Sequence, residues 1–290
     1  MPELPEIVSR AREMNRVLVG KRIARVEVLQ PKCLNVPAQT FKTSLVGARI
    51  KHVTSRGKWI FTETTKGWLL LNLGMGGEVL AVTRGRLPEK RRLVFEFSDR
   101  TALAINFWWF GYAHYVAPGQ LDRHDMTKVL GPNATDLTAE NLRKKLSGRR
   151  GGLKAYLLDQ SEIAGIGNAY IHDILFLAGL HPQRTLDSLS DGDVDNLAKA
   201  IHDGLEPSIK KGGAFYELNL LGRPGGFVKD DILIGYRVDE PCPRCGAAIN
   251  KIKTGSTSSF ICPKCQPLKQ GKKSGRSHAS PVTADRRRRP

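Results

Sequence analysis

Two pairs of cysteines constrain this chain more than any other feature. Cys242-Pro-Arg-Cys245 and Cys262-Pro-Lys-Cys265 are two C-x2-C turns with sixteen residues between them. Each turn offers two thiolates from one tight loop, and two such turns close the tetrahedral shell that zinc takes. Two disulfides or redox dithiols are the alternative, but paired knuckles at this spacing recur mainly as structural zinc. Between the pairs, Ile249, Lys251, Ile252, Lys253 and the run 258–261 alternate like a hairpin, with lysines free to face phosphates. One structural zinc ion is therefore the expected cofactor, stabilising a segment too small to fold unaided. The fifth cysteine, Cys33, reads as a small, partly buried apolar residue.

The remaining chain is long enough, at 290 residues, for two domains with sizeable cores. Its net charge of +18 favours a polyanion, either nucleic acid or an acidic membrane surface. No apolar run approaches the ~20 residues of a membrane helix. Glu3, Glu6 and Arg10 interrupt the N-terminus before a signal peptide's apolar segment could form. A cytoplasmic, nucleoid-associated protein is expected. Part of the charge is local: Lys269, Lys272, Lys273, Arg276 and the run 286–289 face one acid, Asp285. Rich in Ser, Gly and Pro, residues 267–290 read as a disordered basic tail.

Apolar runs at 23–29, 49–53, 59–63, 69–73, 93–97 and 102–107 read as strands, separated by glycine and charged clusters. One helix precedes them, from about residue 5 to 18, with Ile7, Val8, Ala11, Met14 and Leu18 at helical spacing. From about residue 122 the pattern turns helical, with helices expected at 138–146, 153–158, 169–178 and 191–211. A glycine turn, Gly165-Ile-Gly167-Asn168, separates two of them. It is either a packing turn or a phosphate grip, in which backbone N–H groups and Asn168 hold the anion and Lys154 adds charge.

The opening Met1-Pro2-Glu3-Leu4-Pro5-Glu6, the turn at 159–170 and the four-cysteine segment, taken together and in that order, resemble the formamidopyrimidine-DNA glycosylase / endonuclease VIII family. The resemblance spans roughly residues 1–266. It implies an α+β chain: an N-terminal β-sandwich catalytic domain (1–118), a helix–two-turns–helix domain with a lesion-capping loop (122–235), a zinc finger (236–266) and the tail. Damaged double-stranded DNA, bound by a monomer in the cleft between domains, is the implied partner. Removal of Met1 exposes the Pro2 amine, which attacks the sugar C1′ and expels the base; elimination from the resulting iminium ion then cuts the strand. By the same resemblance, Glu3 handles protons at the sugar and Glu6 supports the site. Lys58 in the Arg56-Gly57-Lys58-Trp59 turn meets phosphate and the lesion region, and Lys154 and Asn168 bind phosphate. Residues 212–226, including Arg223, form the flexible loop that closes over an extruded base.

Extrusion leaves a hole in the duplex, and Met75 matches the family's methionine wedge. The family also places two arginines before a phenylalanine, one of them reading the orphaned base. Here Phe110 is kept, and Trp108 and Trp109 stand at the arginine positions. An indole stacks but makes no bidentate base contact, so a relaxed opposite-base preference is expected. The alternative places the tryptophans in the sandwich core. Asn72 stands where a phosphate-binding histidine is usual, and Thr257 where the finger usually offers an arginine. Three functions remain in play: a bifunctional glycosylase and lyase for oxidised or ring-opened bases; the same chemistry on another lesion or on single strands; and a damaged-DNA-binding protein with weak or altered catalysis.

Overall fold

The computed structural model describes residues 1–108 and 110–268. Trp109, and the expected tail beyond its first two positions, lie outside the described residues.

The first helix, α1 (Leu4–Leu18), serves two cores at once. Residues three and four apart share a face. Leu4 and Val8 pack among the later helices, while Ile7, Ala11, Met14 and Leu18 pack into the β-domain. Its first turn is tied by the Glu3 N–H, which donates to Glu6 Oε2 at 2.9 Å.

The β-domain is a sandwich of two four-stranded antiparallel sheets. Its elements are β1 (Ile23–Val28), α2 (Ala38–Leu45), β2 (Ile50–Arg56), β3 (Trp59–Thr64), β4 (Gly67–Asn72), β5 (Glu78–Thr83), β6 (Leu93–Phe97), β7 (Thr101–Asn106) and β8 (Tyr112–Val116). One sheet runs β2-β3-β4-β8 and the other β1-β6-β7-β5. Phe41, Ile60, Leu71, Phe95 and Ile105 fill the space between them, each fully or almost fully buried. Each such side chain contributes about 1.5–3 kcal/mol against the entropy of ordering it. Cys33 is buried in the same core, as expected of a small apolar residue. The pairing of Arg56 with Trp59 leaves Gly57-Lys58 as a two-residue hairpin turn. That turn is fixed from outside: the Gly57 N–H donates to Asn133 Oδ1 at 2.7 Å, and Asn72 Nδ2 donates to the Lys58 carbonyl at 3.2 Å.

Four helices follow: α3 (Ala139–Leu146), α4 (Leu153–Leu158), α5 (Ile171–Leu177) and α6 (Asp191–Lys210). Thr138 Oγ1 caps α3 by accepting from the Asn141 N–H at 3.2 Å, and Ser190 Oγ caps α6 by accepting from the Asp193 N–H at 3.2 Å. The strands β9 (Asn250–Thr254) and β10 (Thr257–Ile261) form the cysteine hairpin. Phe260 and Ile249 pack it against Phe176 of α5. Arg244 ties it to the end of α5, donating to the carbonyls of Phe176 at 3.0 Å and Leu177 at 3.1 Å, where the helix is electron-rich. Among the described residues, no helix is long and apolar enough to cross a membrane.

Candidate active site

The site is built where α1 begins. Pro2 and Glu3 are buried between the Lys58 hairpin turn and the glycine turn that leads into α5. Glu3 Oε2 accepts from the Gly167 N–H at 2.7 Å, and Oε1 accepts from the Ala169 N–H at 2.8 Å. The glycine turn therefore does grip an anion, but the anion is the chain's own carboxylate. The expectation that these N–H groups hold a phosphate is corrected: Glu3 already occupies them. Gly167 is required by this packing. A Cβ there would fall 2.2 Å from Glu3 Oε1 and 2.6 Å from Lys58 Nζ.

Burial pushes the Glu3 carboxyl up from 4.5 to about 7, opposed by the nearby Lys58 ammonium and the two N–H donors. Burial in turn lowers the Lys58 ammonium, and Glu3 and Glu6 oppose that shift. A carboxyl held near neutrality beside a cation both gives and takes a proton at physiological pH.

Glu6 does not face the cavity. Its Oε1 accepts from the Tyr170 hydroxyl at 2.5 Å and from the Ala214 N–H at 3.0 Å, while Oε2 holds the Glu3 N–H. One buried carboxylate thus joins α1, the start of α5 and the start of the 212–226 loop. Burial and the Glu6 charge raise the Tyr170 phenol, keeping it a donor.

The loop is docked in this structure, where sequence predicts a flexible one. Leu220 is buried in the sandwich core, its N–H donates to Glu13 Oε2 at 2.8 Å, and its carbonyl accepts from the Ala81 N–H at 2.8 Å. Arg223 is exposed beside the tip, with its N–H on Asn219 Oδ1 at 3.0 Å. Phe215 and Tyr216 of the loop wall a cavity of about 720 Å³, together with Met1, Glu3, Lys58, Met75 and Asn168. The side-chain carbonyl of Asn168 is buried and has no partner among the described residues.

Met75 and Trp108 form an exposed apolar ledge, 48% and 67% exposed, and Phe110 is also exposed at 69%. The Trp108 indole lies over Gly76, where a Cβ would meet its ring at 3.1 Å. Trp108 therefore does not belong to the sandwich core; Trp109 lies outside the described residues.

Lys154 is displaced from the role that sequence suggests. It is 2% exposed, and its ammonium donates to Thr257 Oγ1 at 3.0 Å, the Ser258 carbonyl at 2.7 Å and Ser259 Oγ at 2.9 Å. All three donors serve the β9–β10 hairpin, so the expectation of a direct phosphate contact is corrected to an internal anchor. Burial lowers its pKa to about 8. Sequence reasoning also passed over Tyr170, Tyr216 and Glu217. Glu217 Oε1 lies 3.6 Å from the Met1 amine, and its side chain is 12% exposed. Tyr170 closes the turn at 159–170 without that turn assigning it a role, and no local motif marks Tyr216 or Glu217; their partners near residues 1–6 reveal them.

The four cysteine sulfurs lie within 4.8 Å of one another, with Cys242 to Cys265 at 3.8 Å and Cys245 to Cys262 at 3.4 Å. Those separations are too long for disulfides and match a tetrahedron with Zn–S bonds of about 2.3 Å. Cys242, Cys245, Cys262 and Cys265 hold one structural zinc ion at the base of the hairpin.

Comparison with known proteins agrees with this architecture. The formamidopyrimidine-DNA glycosylase N-terminal domain matches residues 1–106, the corresponding H2TH domain residues 130–218, and the zinc finger found in FPG and IleRS residues 239–268. A formamidopyrimidine-DNA glycosylase of Symbiobacterium thermophilum is 34% identical, over 93% of this chain and 91% of the relative. The Lactococcus lactis Fpg bound to DNA containing an abasic site superposes with a TM-score of 0.85 at 29% identity, covering 91% of this chain and 99% of that one. The same enzyme bound to DNA containing N7-benzyl-Fapy-dG gives 0.85 at 30% identity, over 92% and 100%. Fold, finger and relatives define an enzyme of the DNA glycosylase class. The chain belongs to the formamidopyrimidine-DNA glycosylase family.

Proposed function

We propose that this enzyme is a bifunctional glycosylase and abasic-site lyase that removes oxidised or ring-opened bases from duplex DNA. The observation that carries the proposal is the placement of Glu3. It adjoins Pro2, is pinned by two backbone N–H groups, sits beside Lys58 and opens onto a cavity of nucleotide size.

Once Met1 is removed, the Pro2 amine attacks C1′ of an extruded nucleotide, and the bond from C1′ to the base breaks with its electron pair leaving on the base. Glu3, held near neutrality, donates a proton at the sugar ring as the ring opens to an iminium ion. That cation acidifies the C2′ proton, and its loss expels the 3′ phosphate; a second elimination expels the 5′ phosphate. Lys58 and Asn168 line the same cavity and orient the nucleotide. Arg223, exposed at the docked loop, meets the DNA backbone. Met75, with Trp108 beside it, fills the gap left in the stack. Zinc holds the hairpin in shape, and Lys154 seats it on the helical domain.

Trp108 in place of an arginine supports relaxed choice of the opposite base, because stacking tolerates any base. Excision rates opposite C, A, G and T within about tenfold of one another would agree; a preference above 100-fold would overturn this part. The chemistry itself is tested by borohydride trapping on a duplex with an abasic site, using untagged enzyme. A covalent adduct that vanishes when the N-terminus is blocked supports the amine mechanism. No adduct with folded, zinc-loaded enzyme would leave only a damaged-DNA-binding protein.

A further inference from the structure

Glu217 takes no part in the chemistry just derived, yet it is built into the same site. Its carboxylate points at the chain's N-terminus, 3.6 Å from the Met1 amine, with the side chain 12% exposed. The backbone that carries it is held at both ends. The Glu217 N–H donates to the Ala214 carbonyl at 3.0 Å, and the Glu217 carbonyl accepts from the Gly225 N–H at 3.0 Å. Ala214 is itself held by Glu6, and the next carbonyl, Leu218, accepts from the buried guanidinium of Arg10. The Glu217 backbone is therefore held in place as long as the loop stays docked.

The two carboxylates at the N-terminus are not equivalent. Both oxygens of Glu3 are taken by backbone N–H groups. Glu217 has, among the described residues, the N-terminal amine as its one ion-pair partner. Consecutive backbone nitrogens lie about 3–4 Å apart. Removing Met1 deletes the present partner and exposes the Pro2 amine one residue further along the chain.

We propose that Glu217 is the proton acceptor that frees the Pro2 amine for attack. The Pro2 ammonium gives one proton to the Glu217 carboxylate, which becomes a carboxylic acid, and the lone pair stays on nitrogen for the bond to C1′. This assignment rests on the amine mechanism proposed above.

The electrostatics suit the transfer. A free α-amine titrates at about 7.7–8.0, so near pH 7 most of it is protonated and unreactive. A carboxylate of ordinary acidity would be a poor acceptor from it. Burial pushes Glu217 up to about 7, against the pull of the N-terminal amine. The other charged or titratable groups facing it are Glu6, which raises it further, Arg10, which lowers it, and Tyr216 beside it on the loop. The upward shift brings the acceptor closer to the donor and so lowers the cost of moving the proton.

The test is single-turnover cyanoborohydride trapping on an abasic-site duplex from pH 5.5 to 9. It uses full-length zinc-loaded enzyme with Met1 removal verified by mass. Glu217→Gln is expected to trap about 100-fold more slowly at pH 7, to approach the wild-type rate near pH 9, where the amine is free without help, and to recover with added acetate. Glu217→Asp is expected to restore much of the rate without acetate. Trapping by Glu217→Gln at the wild-type rate or faster at pH 7 would overturn the assignment. So would a deficit that is constant with pH and insensitive to acetate, because that is the signature of a merely structural residue. Absence of any adduct with wild type at every pH would instead remove the amine mechanism on which the assignment stands.

Discussion

The two sides of the cavity are built on opposite principles. On one side, Glu3, Glu6, Tyr170 and the glycine turn form a buried polar network in which both carboxylates are held by short hydrogen bonds. On the other, Met75 and Trp108 stand largely in solvent, with the Trp108 indole lying over Gly76. On the reading proposed above, the groups that meet the sugar are fixed before DNA arrives, so no reorganisation is needed at the moment of reaction. The groups proposed to fill the duplex are left exposed, as side chains that await stacked bases would be.

That contrast predicts very unequal responses to mutation. The largest is at Glu3. Glu3→Gln should slow base release by about 10³-fold in single-turnover assays, while binding to an abasic duplex changes little. Gly167→Ala should cost about 10²-fold by displacing the carboxylate, and near-normal activity in either variant would remove the fixed side of the comparison.

Stability should follow Glu3 as well. Its folded pKa of about 7 lies above the ordinary 4.5. A raised carboxyl means that ionisation penalises the fold; the penalty is absent below about 4.5 and complete above about 7. The melting temperature of Glu3→Gln relative to wild type should therefore rise between pH 4.5 and 7. The change corresponds to at most about 3 kcal/mol, less whatever the lost N–H contacts cost. A pH-independent difference would show that Glu3 is not perturbed.

A smaller effect belongs to the exposed side. Trp108→Ala and Met75→Ala should each weaken binding to an abasic duplex by about tenfold, leaving the melting temperature unchanged; loss of stability would place them in the core after all. Smallest is the tail. Deleting residues 267–290 should flatten the salt dependence of DNA binding, and an unchanged slope would leave residues 1–266 as the whole electrostatic partner.

The same contrast governs what sequence reveals. Four cysteines at fixed spacing disclose a metal site because the ligands are local in the chain. That Pro2, Glu3 and Lys58 come together was suggested only by resemblance, and the partners of Glu217 and Tyr170 were not suggested at all, since those partners are far away in sequence. Lys154 was misjudged because a lysine in a basic chain carries no sign of which way it points; three acceptors on a distant hairpin decide that. The strands and helices were mostly legible. Those overlooked have weak patterns: α2 offers only Phe41 and Leu45 to the core, β5 is mostly half-buried, and β8 carries His114 amid tyrosines.

The Glu6 junction has a consequence for how the enzyme comes into being. Glu3 and Glu6 meet partners 164, 166 and 208 residues further along. Such long loops close late and slowly. A nascent or partly unfolded chain therefore carries an N-terminal amine but no organised carboxylates around it. On the proposed mechanism, DNA meets a competent site only after nearly the whole chain has folded, and the length of those loops acts as a safety catch.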